Sequence, residues 1–116
     1  MQYLLLIYSN EKVFDAQPAP ELAKMMAEFN AFSADIAQSK HLVGGNRLQP
    51  VATATTVRVR DGKTQITDGP FAETREQLGG YYLVEAKDLD EATKLAARIP
   101  GARVGSIEIR PVWSMS

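Results

Sequence analysis

The sequence has no cysteine and a single histidine, His41, among its 116 residues. The first absence excludes thiolate nucleophiles, redox pairs and zinc or iron–sulfur sites built on thiolates. The second excludes a metal site assembled from several histidines of one chain. An excess of charge of one sign is also lacking: 13 Lys and Arg stand against 14 Asp and Glu, a formal net charge of −1. Such a balance gives no general attraction for phosphate backbones or anionic membranes, so neither is expected as a partner. Long hydrophobic runs are missing as well. Residues 1–8 (MQYLLLIY) are apolar but lack a basic start and stop at Ser9-Asn10-Glu11-Lys12. That is too short for a secretory core or a bilayer span, and a cytoplasmic protein is expected.

What is present fits one soluble domain over residues 1–116, 45% hydrophobic and 23% charged. A chain of this length buries roughly two thirds of its unfolded surface and needs no staple to fold.

Residues 3–8 are an unbroken run of strand formers, as in a central strand covered on both faces. Pro18 and Pro20 suit the first turn of a helix. Leu22, Met25, Met26, Phe29, Phe32 and Ile36 then recur at helical spacing as a core stripe, ending before Gly44-Gly45. A short strand is expected around residues 42–48. Residues 55–60 alternate, with Val57 and Val59 opposite Arg58 and Arg60, and Asp61-Gly62 supplies a two-residue hairpin turn. That turn sets Val59 against Thr64 and Val57 against Ile66.

Residues 80–86 form the next strand. Asp88 and Glu91 form a capping box that opens a second helix, with Leu89, Ala92, Leu95, Ala96 and Ile99 as its apolar face and Pro100-Gly101 as its stop. The last strand spans 106–113, with Ile107, Ile109 and Trp113 on one face.

The order is strand, helix, strand, hairpin, strand, helix, strand. It predicts an α+β fold, a ferredoxin-like βαββαβ layer with an inserted β-hairpin and both helices on one face of the sheet. Apolar residues also alternate onto the other face, which points to a homodimer packed sheet against sheet.

Between hairpin and third strand lies Asp68-Gly69-Pro70-Phe71, followed by Ala72-Glu73 and by residues 76–82 (EQLGGYY). These residues, with Val43-Gly44-Gly45, Ala54 to Arg58, Asp88 to Glu91 and Ile107 to Pro111, resemble the DGPF-motif subgroup of the YCII-related family over nearly the whole chain. The resemblance implies a dimeric α+β barrel and no settled activity. Some relatives pair a histidine near the start of the first helix with an aspartate. Here Ala19-Pro20-Glu21 stands in that place. His41 lies past the far end of the helix, about 30 Å away, where it suits the C-terminal carbonyls.

Asp68 therefore has two readings. It accepts backbone N–H bonds in a turn or caps a short helix near residues 74–78. Otherwise it is the catalytic candidate at a pocket mouth, where an apolar wall of Phe71, Tyr81 and Tyr82 would disfavour its charged form. Glu73 joins Phe71, Tyr81, Tyr82 and Arg47 as ligand-binding candidates, with Arg47, or Arg75, facing an anionic group. Glu73 and Glu76 would share a helix face. Their spacing with Asp68 matches no known metal loop, so no metal or cofactor is expected. Ser39 and His41, at i and i+2, would not face each other on a helix. The strand at 80–86 lacks the basic, glycine and aromatic positions of an RNA-recognition motif.

Two functions follow from the resemblance. The first is a small-molecule enzyme performing isomerase- or lyase-type proton transfer next to a carbonyl, with Asp68 as acid or base. The alternative is a non-catalytic ligand-sensing, regulatory or assembly module, related to domains joined to extracytoplasmic-function sigma factors.

Overall fold

The computed structural model describes residues 1–114. Strand β1 (Gln2–Ser9) leads through a five-residue helix α1 (Glu11–Asp15) into the long helix α2 (Ala19–Gln38). Strand β2 (Leu42–Arg47), the hairpin β3 (Thr55–Arg60) and β4 (Lys63–Asp68), strand β5 (Gln77–Glu85), helix α3 (Leu89–Ala97) and strand β6 (Ser106–Pro111) follow.

Four strands pair antiparallel in the order β2-β5-β1-β6. Tyr3 and Leu5 of β1 and Val84 of β5 point to one face, where they meet Phe32 and Ile36 of α2 and Ala92, Leu95 and Ala96 of α3. Leu5, Ile36 and Val84 are wholly buried there. On the opposite face, the register sets Leu4 against Leu83 and Leu6 against Tyr81. Neither helix lies on that side.

The hairpin has the register that its turn dictates, with Val57 opposite Ile66 and Val59 opposite Thr64. Asp61 and Gly62 both take positive φ, 53° and 73°, as a two-residue turn matched to strand twist requires. Helix α3 begins at the expected cap: Asp88 Oδ1 accepts from Glu91 N at 2.9 Å. Glu91 reaches back one residue beyond the cap, accepting from Lys87 N at 3.1 Å.

The α+β class holds, but the architecture expected from the sequence is corrected. No ferredoxin-like layer with an inserted hairpin, closed into a dimeric barrel, is formed. The sheet is open, with β2 and β6 as free edges, and β3–β4 is a separate two-stranded sheet. Residues 48–54, with Pro50 and a 3-10 turn at Val51–Thr53, lead the chain away from the β2 edge before the hairpin begins.

Local expectations are corrected as well. Residues 74–76 form no helix; the chain passes from a bend into β5 at Gln77. Leu89 is exposed as the first residue of α3, and Trp113 stands beyond β6, 86% exposed. Helix α1 was not foreseen.

Among the described residues no helix is long and apolar enough to cross a membrane.

Candidate functional site

A groove of about 330 Å³ opens between α1, α2 and the β2–β5 edge of the sheet. Its build begins at Asn10, whose side chain accepts from the amides of Lys12 and Val13 and so starts α1 directly after β1. Two bonds fix that helix. The Glu11 amide donates to Gln77 Oε1 at 2.9 Å, and the Glu11 carboxylate accepts from Val51 N at 3.1 and 3.2 Å. The strap 48–51 is thereby held beside α1, and Phe14 is turned into the groove.

The floor depends on close approach of two strands. A Cβ on Gly45 would lie 2.8 Å from the Tyr81 carbonyl oxygen, and one on Gly80 would lie 2.9 Å from that of Asn46. Both positions therefore need glycine. On the α2 side, Tyr82 packs edge-to-face on Phe32 with centroids 5.3 Å apart, and its hydroxyl lies 2.6 Å from Ser33 Oγ.

Arg47 ends β2 on the wall of this groove. Its guanidinium carbon stands 6.0 Å from the Phe14 ring centroid, and Nη1 lies 3.3 Å from Met26 Sδ. An aromatic face and a thioether favour a cation only weakly and leave most of its five donors free. None of the ion pairs among the described residues includes Arg47.

Of the residues picked out by sequence, the groove gathers Arg47, Tyr81 and Tyr82. Asp68, Phe71 and Glu73 lie outside it and are exposed, Phe71 by 77%. Tyr81 faces away from Tyr82 and takes a hydrogen bond from Asn46 Nδ2 at 2.9 Å.

The proton-transfer enzyme is therefore corrected. Asp68 ends an exposed hairpin strand, and among the described residues no apolar wall surrounds it and no cluster of catalytic groups converges on it. The alternative, a sensing, regulatory or assembly module, was drawn from the same resemblance to a dimeric barrel, and it falls with that barrel. Among the described residues no three of His, Asp and Glu gather as metal ligands.

His41 also departs from expectation. Its ring bonds to Ser39 Oγ through Nδ1 at 2.7 Å and reaches Glu91 through Nε2 at 3.3 Å, joining the end of α2 to the start of α3. Ser39 and His41 do face each other, because the chain leaves the helix between them.

Glu11, Phe14 and Ser33 were missed by sequence. Their signals were Asn10 ahead of a short amphipathic run, and Met26, Asn30 and Ser33 recurring at i, i+4 and i+7 beside the core stripe.

The YCII-related domain matches the chain over residues 1–116. An uncharacterized protein of Rhizobium meliloti (strain 1021) is 38% identical over 114 residues, covering 97% of this chain and 92% of that protein.

Proposed function

The chain belongs to the YCII-related family, and from that premise we propose that it binds a small organic anion with a flat apolar body in the groove beside Arg47. The observation that carries this reading is a guanidinium set in a groove wall without a carboxylate partner. Phe14, Met26, Phe29 and Tyr82 supply apolar walls, and Asn30 and Ser33 supply a few polar contacts along α2. Ligand sites commonly have this composition, and about 330 Å³ is at the small end of their range. Arg47 presents a planar fork suited to a carboxylate.

The run Asp68-Gly69-Pro70-Phe71 supports placing the chain, as one domain over residues 1–116, in the DGPF subgroup. The uncovered face of the sheet supports a homodimer.

Benzoate is a suitable probe, with benzamide as its uncharged counterpart. Titration should shift the amide resonances of Gly45, Arg47 and Tyr82, with benzamide binding at least tenfold more weakly. Arg47→Met keeps the stem and removes the fork. It should weaken benzoate at least tenfold, as the loss of a charge-assisted bond of about 1.5–3 kcal/mol requires, at unchanged melting temperature. Equal binding of benzoate by Arg47→Met, or shifts confined to other parts of the chain, would overturn the reading.

A further inference from the structure

The β3–β4 hairpin is the least covered part of the molecule. Its two faces differ sharply. Val57, Val59 and Ile66 share one side, while Arg58, Arg60 and Lys63 share the other. The three apolar side chains are nevertheless 59%, 59% and 68% exposed. A lone two-stranded hairpin is marginal in water, and an amphipathic one gains nothing from its apolar side unless something covers it. The body of the same chain does not.

The surface of the whole chain points to what does. A folded monomer of this mass exposes about 6,200 Å², whereas this chain exposes 8245 Å². Its radius of gyration is 16.2 Å, against about 13.4 Å for a compact domain of this length. The excess of about 2,000 Å² is ample for a stable dimer, which needs roughly 800 Å² from each partner. A second apolar surface on the same chain is only half-buried: the sheet face bearing Leu4, Leu6 and Leu83, opposite the helices. On β6, Arg110 and Glu108 stand opposite Leu4 and Leu6 and bond to each other, giving that face a charged rim.

We propose that the hairpin is an intersubunit arm, whose Val57, Val59 and Ile66 face lies on the Leu4, Leu6 and Leu83 face of a second copy of this chain. The inference deepens the homodimer reading and is independent of the groove. Each six-residue strand of the arm is roughly 20 Å long, enough to lie along β1 of the partner. A two-fold arrangement covers both apolar surfaces of both chains at once. Arms pairing with arms would leave both sheet faces wet.

The sequence has no cysteine, so introduced thiols report single contacts. Light scattering should give twice the 12.7 kDa chain mass for the unmodified protein. Val57→Arg and Ile66→Arg, at positions exposed within the chain, should raise the dimer dissociation constant at least tenfold with an unchanged circular dichroism spectrum. Mixing Ile66→Cys with Leu83→Cys under oxidation should link one chain of each kind. A dimer that withstands both arginine variants would overturn the arm and leave the homodimer standing. A monomeric unmodified protein would overturn both. Disulfides formed among Ile66→Cys chains, with none to Leu83→Cys, would overturn the proposed seat.

Discussion

The Tyr82 hydroxyl on β5 lies 2.6 Å from Ser33 Oγ on α2, a bond across the layers between two residues that line the groove. Both side chains are half-buried. The bond therefore sets the position of Tyr82 relative to α2 and helps fix the width of the groove. Tyr82→Phe should lower stability by about 0.5–1.5 kcal/mol, the net value of such a bond. Ser33→Ala should cost a similar amount. The double variant should cost clearly less than the two losses added, since both remove one interaction. Urea unfolding of all four proteins provides the cycle, and strict additivity would show that the pair is not coupled.

Glu11 makes a different kind of tie. Both of its carboxylate oxygens accept from one backbone amide, that of Val51. Glu11→Ala should release the strap 48–51 without touching the core. The expected result is faster hydrogen exchange at the Val51 amide, with the protection of Leu5 and Val84 unchanged. Equal exchange at Val51 in both proteins would show that the strap is held by other contacts.

Gly80 marks a second tight point of the floor, beside Gly45. An added Cβ there meets backbone, the Asn46 carbonyl oxygen at 2.9 Å, which cannot rotate aside as a side chain could. Gly80→Ala should therefore force β2 away from β5 and cost roughly 1–3 kcal/mol, as overpacking does. Gly44, around which nothing lies within 4 Å, is the internal comparison. Gly44→Ala should leave the urea midpoint nearly unchanged.

These contacts also explain which parts of the molecule were legible in the sequence. Val57 and Ile66 could be paired because a two-residue Asp61-Gly62 turn leaves one register. Asp88 and Glu91 could be read as a helix start because capping is local chemistry. The open sheet was not legible, since closure depends on where residues 48–54 carry the chain, and no period records that path. Arg47, Tyr81 and Tyr82 were picked out by residue type, although the anchor chosen for them, Asp68, lies outside the groove. The motif at residues 68–71 drew attention to a segment that proved exposed. Meanwhile the groove takes Glu11 from a helix of five residues, too short to leave a periodic signal.

Lys40 carries backbone strain that sequence would not suggest. Helix α2 ends with Lys40 N bonded to the Ala37 carbonyl and His41 N bonded to the Ile36 carbonyl. This paired pattern requires the first of the two donor residues to be left-handed. Lys40 takes that conformation with φ of 66°, at a cost of roughly 1–2 kcal/mol for a residue with a Cβ. Lys40→Gly removes the strain and adds backbone freedom to the unfolded chain, which offsets part of the gain. It also removes a positive charge near the negative end of the helix, a loss of about 0.3–1 kcal/mol at most. Lys40→Ala removes the same charge and keeps the Cβ, so it isolates the backbone effect. Relative to Lys40→Ala, Lys40→Gly should be more stable by about 0.5–1 kcal/mol, seen as a higher urea midpoint at constant slope. Equal midpoints for the two variants would mean that the left-handed turn at the end of α2 stores no strain.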